Sequence, residues 1–255
     1  MITVVILTKN SEKTIQKALE SAKSFDEVIV LDSGSKDQTL KIASAFKNVT
    51  IHESSFSGFG QMRNLGASKA RNDWILALDS DEEISSKAIE ELSLIKLDPN
   101  VIYSFPFFNF YNKKHIKCCG WYPEYHLRLY NKKCVSFSHD LVHESIVKDG
   151  LVIKKLIHPI NHYSIAGIDD FINKIQLYST LYAKQNYGKK SSFLKAVSHS
   201  LFSFFKSYFL KKGFLGGKEG FIISMYIANS TFYKYLKLQE LNNKNASDFS
   251  IPSDR

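Results

Sequence analysis

Short apolar strands alternate with helical patterns over the first eighty residues, and this limits the fold more than any other feature. The strand runs are Thr3–Leu7, Glu27–Leu31, Val49–His52 and Trp74–Leu78. Between them, Glu12–Ser24 places Ile15, Ala18, Leu19 and Ala22 on one helix face. Asp37–Phe46 turns Leu40, Ile42 and Ala43 inward, and Gln61–Ala70 reads as a third helix. Strands separated by helices pair in parallel, with helices on both faces of an α/β sheet. Ligands of such sheets sit beyond the C-terminal ends of the strands. Three polar clusters fall at those ends: Thr8-Lys9-Asn10, Asp32-Ser33-Gly34-Ser35 and Asp79-Ser80-Asp81.

After residue 100 the pattern changes. Tyr103–Tyr111, Leu127–Tyr130 and Val135–Phe137 read as strands of an α+β extension, and Asp169–Tyr187 as a helix. Ser192–Leu210 predicts a strongly aromatic helix. Gly213, Gly216, Gly217 and Gly220 predict a break, followed by a last helix over Phe221–Leu238 and a disordered polar tail from Asn242. The expected organisation is a ligand-binding α/β half (1–100), a second half (101–190), an amphipathic helical extension (191–241) and a tail (242–255).

The chain of 255 residues carries formal charge +9. Lys184–Lys244 holds eleven lysines and two acids, so the whole excess lies in the C-terminal quarter. That asymmetry points to anionic lipid or nucleic acid as a partner, or to a merely solvated face. The start lacks the basic segment and long apolar run of a signal peptide. The three cysteines, Cys118, Cys119 and Cys134, lack zinc spacing, and structural thiols in a reducing cytoplasm are expected.

Against this basic background, an apolar strand ends in Asp79, Asp81, Glu82 and Glu83. Two carboxylates two residues apart at a strand end can converge on Mg²⁺ or Mn²⁺, which would relieve their repulsion. A calcium-binding loop is excluded by Ile84 where the sharp turn needs glycine. Glu82 and Glu83 suit the first turn of a helix, where acids favour the dipole. Asp32 and Ser33 can bond a base or ribose, and Gly34 allows close backbone approach. Asp37 suits a helix cap. Arg63 faces either a phosphate or solvent.

Taken together, Thr8-Lys9-Asn10, Asp32-Ser33-Gly34-Ser35-x-Asp37-x-Thr39, Gly58-x-Gly60-x-x-Arg63-Asn64 and the Asp79-x-Asp81-Glu82-Glu83 strand end form an ordered set. This set resembles glycosyltransferase family 2, in particular the lipopolysaccharide and lipooligosaccharide core glucosyltransferases. Gly120-Trp121-Tyr122-Pro123-Glu124-Tyr125 with Leu127-Arg128-Leu129, then Leu141-Val142-His143-Glu144 and Gly216-Gly217-Lys218-Glu219-Gly220-Phe221, look like that subfamily. The resemblance spans about residues 2–240. It implies a GT-A fold, a nucleotide-sugar donor with UDP-glucose foremost, and inversion at the anomeric carbon. It implies that Thr8, Asn10, Asp32 and Arg63 hold the nucleoside and its phosphates. Lys9, Ser33, Gly34, Asn64, Trp121, Tyr122, Arg128 and His143 join the substrate-binding set. Asp79 and Asp81 would hold the ribose and a diphosphate-bound Mg²⁺ or Mn²⁺. Where the family's core usually reads Gln-Lys-Asn this chain has Met62-Arg63-Asn64, so the basic role passes to an arginine, a stronger phosphate fork. Where the family often has Glu-Asp, this chain has His143-Glu144.

Transfer requires a base for the acceptor hydroxyl, and a carboxylate within reach serves. Glu144, beside apolar Leu141-Val142, is the first candidate, with Asp140 and Glu124 the others. Among the clustered His139, His143, His158 and His162, either His143 or His162 is a further metal ligand or diphosphate donor. Phe193, Val197, Leu201, Phe204, Phe205 and Tyr208 form a helical stripe opposite Lys195, His199, Ser203 and Lys206. That stripe suits packing on the catalytic domain or lying on an anionic membrane. The reading is a cytoplasmic, membrane-peripheral glycosyltransferase acting on a lipid-anchored saccharide, without nucleic acid. A nucleotidyltransferase and a nucleic-acid-binding protein are the alternatives.

Overall fold

In the computed structural model, residues 1–138, 146–147 and 150–248 are described, with backbone alone at 146–147 and 245–248. They form two units: Met1–His115 with Pro123–Ser164, and Ile116–Tyr122 with the chain from Ile165 onward.

The first unit is built on one mixed sheet. β1 (Ile2–Thr8) lies between β2 (Glu27–Asp32) and β4 (Trp74–Asp79), and β3 (Val49–Glu53) extends the edge beyond β2, all in parallel. The helices between them, α1 (Ile15–Ser21), α2 (Thr39–Ala43) and α3 (Phe59–Lys69), are shorter or slightly shifted relative to the sequence pattern. Successive side chains point to opposite faces. Val4, Ile6, Val28, Val30, Leu76 and Leu78 therefore join the core with α1, whereas Val5, Ile29, Ile75 and Ala77 pack with Ala67 and Ala70. Gly66 lets α3 press onto β1, because a Cβ there would lie 2.4 Å from Val5 Cγ1.

Residues 101–165 do not open a separate layer. β8 (Glu124–Asn131) pairs antiparallel with β4, and β6 (Val101–Tyr111) follows it. Next come β12 (Ile160–Ile165) and the short β5 (Glu82–Ile84). β7 (Lys114–His115) and β11 (Val152–Lys155) also pair with β6, while β9 (Ser136–Phe137) and β10 (Ile146–Val147) form a separate ribbon. Glu82 and Glu83 are thus strand residues, not the first turn of a helix. α4 (Ser86–Leu94) starts later, capped by Ser85, whose Oγ accepts from Ala88 N–H.

The starting end of the β1–β2 pair is pinned by a buried carboxylate. Glu27 accepts hydrogen bonds from the Thr3 hydroxyl, from Arg71 N–H at 2.9 Å and from Arg71 Nε at 3.0 Å. Burial pushes its pKa up, but Thr3 and Arg71 outweigh that and hold it below the ordinary value. A carboxyl whose folded value is depressed adds stability above its unfolded value, and that contribution is lost as pH falls through the folded one. Glu27→Gln is expected to cost about 1–3 kcal/mol at neutral pH, the scale of a buried donor left unpaired. The difference from the wild type should shrink as pH falls below about 4, near the reference carboxylate value. Urea denaturation at both pH values checks this; an equal cost at both would remove Glu27's charge from the account.

The second unit is helical: α5 (Ile168–Gln185), α6 (Phe193–Phe205) and α7 (Gly217–Asp248). A π-helical turn (Lys206–Leu210) and a 3₁₀ turn (Gly213–Gly216) link α6 to α7. Of the glycines expected to break the chain, Gly213 and Gly216 lie in the 3₁₀ turn that separates the helices and Gly217 and Gly220 open α7, while the tail expected to be disordered continues α7 to Asp248. The thiols of Cys118 and Cys119 are buried and that of Cys134 is exposed.

Candidate active site

Parallel register brings the polar strand ends level: Thr8 lies opposite Asp32, and Leu7 opposite Asp79. The loops that follow are stitched together. Asn10 N–H donates to Ser35 Oγ, and Lys36 N–H to Asn10 Oδ1, each at 2.8 Å. Ser11 N–H donates to Thr39 Oγ1 at 2.7 Å, and Ser11 Oγ lies 2.7 Å from Ser80 Oγ. Asp37 accepts from Glu12 N–H at 3.1 Å and from Thr39 N–H at 3.0 Å. Three loops remote in sequence thus form one rim.

The fully buried Asp32 shapes its own loop. It accepts from Gly34 N–H and Ser35 N–H at 2.8 Å each, and from the Ser35 hydroxyl. Ser33 and Gly34 are held as a turn whose exposed edges face outward. Thr8 differs: its buried Oγ1 has no hydrogen-bond partner among the described residues. Lys9 and Asn10 are exposed on the rim.

The acidic strand end is neutralised by arginines. Asp79 accepts from Arg63 Nη2 at 3.0 and 3.1 Å and from Arg128 Nη2 at 3.2 Å. Arg128 also binds Glu82, which is 1% exposed, and Glu82 Oε2 accepts from Asp79 N–H at 3.0 Å. Burial pushes Asp79 up, but Arg63 and then Arg128 outweigh it and hold the carboxyl well below the usual range. For Glu82 burial wins over the pull of Arg128 and lifts the carboxyl to about 7. Asp79, Arg63 and Arg128 therefore meet one another, where the sequence expected a metal and a phosphate. Asn64 braces the ribbon instead, donating to Phe137 O and accepting from Phe137 N–H, both at 2.9 Å.

A second polar chain runs beside this cluster. His162 Nε2 lies 3.5 Å from Asp81 Oδ2, and His162 Nδ1 lies 2.7 Å from Asn109 Oδ1. Asn109 Nδ2 donates to Glu124 Oε2 at 2.8 Å, and Glu124 Oε1 faces His126 Nε2 at 3.1 Å. The carboxylate of Glu124 only accepts, so Asn109 turns its N–H₂ to Glu124 and its oxygen to His162. His162 Nδ1 must then carry hydrogen, which leaves Nε2 to face Asp81. Phe107 floors the chain, with ring centroids 4.3 Å from His126 and 5.8 Å from His162. The Arg128 guanidinium stands 5.1 Å from the same ring. Sequence reasoning missed Asn109, His126 and Phe107. Only their side-by-side strands reveal them, since no motif spaces them.

Glu124 is thus bound to Asn109 and His126. Trp121 and Tyr122 belong to the second unit, where Trp121 packs 6.5 Å from Phe171. Asp140, His143 and Glu144 lie outside the described residues.

Residues 3–148 match Glycosyl transferase family 2. An uncharacterised glycosyltransferase of Rickettsia typhi is 33% identical over 95% of this chain and 88% of its own length. The chain belongs to glycosyltransferase family 2. A second relative in the family's range, the lipopolysaccharide core biosynthesis glycosyltransferase LpsC of Rhizobium meliloti, is 24% identical over 94% of this chain and 92% of its own. The crystal structure of Staphylococcus aureus TarS 1–349 in complex with UDP-GlcNAc is similar at 15% identity and a TM-score of 0.47, covering 97% of this chain and 92% of that one. The family resemblance seen in the motifs is borne out, and the fold shows the expected α/β sheet and C-terminal helices. The enzyme is a glycosyltransferase whose strand-end rim, Asp79 cluster and His162 chain lie in the matched region or on the strand beside it.

Proposed function

We propose that this enzyme moves a hexose, glucose foremost, from a UDP-sugar to a lipid-anchored saccharide such as a lipopolysaccharide or lipooligosaccharide core, inverting the anomeric centre at the inner face of a membrane. The observation that carries the reading is Asp81 and His162 paired at the strand ends, beside an Asp79 already neutralised by arginines. On the donor side, the unpartnered Thr8 hydroxyl and the rim of Asn10, Ser33 and Gly34 offer polar contacts to a nucleoside. The acceptor class is supported by the LpsC relative and by the basic aromatic second unit.

A divalent cation fits these residues. A carboxylate oxygen suits Mn²⁺ or Mg²⁺, and an imidazole nitrogen beside it favours the softer Mn²⁺ of the two. Among the described residues no three such side chains converge, so substrate oxygens would have to complete the shell. Asp81 and His162 would hold the ion, and when bound it draws negative charge from a diphosphate leaving group. Asn109 and Glu124 keep His162 in the tautomer that presents Nε2, the usual role of groups behind a ligand histidine. The Arg63–Asp79–Arg128–Glu82 cluster holds the floor under the rim.

For the base, Glu124 is engaged in this chain and Arg128 already has two carboxylate partners, so Glu144 stays the first candidate and Asp140 the second. Glu144→Gln is expected to keep donor affinity and lose transfer by about 10²–10⁴-fold, the share of general base catalysis. Wild-type transfer by Glu144→Gln, with Asp140→Asn inactive but donor-competent, would move the base to Asp140. A panel of nucleotide sugars scored for nucleoside diphosphate release, with and without Mn²⁺, tests the donor and metal together. Release of pyrophosphate instead would favour nucleotidyl transfer.

A further inference from the structure

The helical hairpin of the second unit closes on small residues at its tightest contacts. Ala196, Ser207 and Ser224 are buried, and Ser207 Oγ lies 2.9 Å from Ser224 Oγ. Ser224 Oγ–H donates to Gly220 O at 2.8 Å, and Ser200 Oγ–H to Ala228 O at 2.9 Å. A Cβ on Gly220 would come 1.9 Å from Gly213 O, so only glycine permits that approach. Ile223 and Leu238 of α7 are buried too, and Phe204 packs on Phe221, but another set of large apolar side chains is left exposed. Leu194, Leu201, Phe205, Phe209, Phe214 and Leu215 are 48–76% exposed. They follow one another along α6, the π turn and the 3₁₀ turn.

A helix pair held by water-facing surfaces places its large residues between the helices. Small residues inside and large ones outside is the arrangement of helices whose surroundings are lipid. The described helices include none long and apolar enough to cross a membrane, so this face would lie along a bilayer surface, not through it. Its charge agrees. From Phe171 to Lys218 there are nine lysines and no acid. Lysines can bury their stems beside such a face and reach headgroup phosphates. A second copy of this chain is a poorer occupant, because pairing two acid-free faces would bring lysine against lysine.

We infer that the ridge Leu194–Leu201–Phe205–Phe209–Phe214–Leu215 is an insertion surface that enters the interfacial layer of an anionic bilayer. The inference rests on the membrane-facing reading of the enzyme given above, but it concerns binding and not transfer.

Co-sedimentation with phosphatidylglycerol–phosphatidylcholine vesicles tests it. Wild-type protein should bind these vesicles and lose at least tenfold in affinity for pure phosphatidylcholine. The Leu201→Glu/Phe205→Glu double variant, altered at exposed positions, should lose at least tenfold on anionic vesicles. Its nucleoside diphosphate release in lipid-free solution should stay at the wild-type level. A Leu201→Trp reporter should be quenched by lipids brominated in their acyl chains. The inference is overturned by no vesicle binding, by equal binding of the double variant, or by binding without quenching, which would mean charge adsorption alone. It is also overturned if the ridge instead mediates a dimer in the absence of lipid that the double variant dissolves. Vesicle binding by an enzyme that ignores lipid-linked acceptors would leave the ridge standing and remove the acceptor reading.

Discussion

Asp81→Asn is expected to reduce sugar transfer by about 10³-fold or more, the several kcal/mol a charge-stabilising cation supplies. The fold should survive. Asp81 is a rim carboxylate facing His162, whereas the carboxylates that hold the floor are Asp79 and Glu82. An amide in place of Asp81 removes the charge that attracts the ion and leaves His162 alone to bind it. The check is nucleoside diphosphate release beside Mn²⁺ binding followed by electron paramagnetic resonance. Mn²⁺ affinity should fall with activity. Asn109→Ala should weaken Mn²⁺ by about 10–100-fold, the usual cost of losing a group behind a ligand. The His162 ring protons should show a changed tautomer in the nuclear magnetic resonance spectrum. Full turnover by Asp81→Asn, or wild-type activity in excess EDTA, would exclude the cation from the reaction.

Arg128→Met is expected to be the most destabilising single change at the site. It leaves Asp79 and Glu82 facing each other, with Glu82 buried and Arg63 the sole remaining arginine. Breaking a buried pair by removing one partner costs about 3–5 kcal/mol. For a chain of this size that lowers Tm by roughly 6–20 °C, at ~2–4 °C per kcal/mol. Without Arg128 the buried Glu82, already raised to about 7, must take up a proton; Glu82→Gln needs none and should recover part of the loss. Thermal unfolding of the two single variants and the double variant gives the coupling directly. Additive losses, or a stable Arg128→Met, would mean that solvent compensates Asp79 and Glu82 and that the cluster is not held by Arg128.

How much of the site was legible follows from where its residues come from. Thr8, Asp32 and Asp79 end β1, β2 and β4, with Asp81 two residues beyond, and strand ends are marked by the change from apolar to polar along the chain. The pairing of His162 with Asp81 was half legible. His162 stands in a run of histidines, but its place beside Asp81 depends on β12 running antiparallel to β5, where His162 lies level with Glu82. Asn109 looked like one polar residue in an aromatic strand. Its role exists only because β8 brings Glu124 beside it.

The sequence by itself determined the parallel half of the sheet, its two-faced core, the strand-end rim and the family. Each of these is written in local periodicity and in motifs whose spacing is set by a single loop. Tertiary structure alone decided what answers the acid at the end of β4. Charges 16 and 49 residues from Asp79 in the chain, on Arg63 and Arg128, close on it in the fold. The same holds for the second unit. A pattern of Phe, Leu and Lys allows either packing or exposure, and the choice fell to Ala196, Ser207, Gly213, Gly220 and Ser224. Their small size draws the helices together and leaves the large side chains facing outward. Side-chain volume at a helix contact is a pairwise property, and no single stretch of sequence contains both partners.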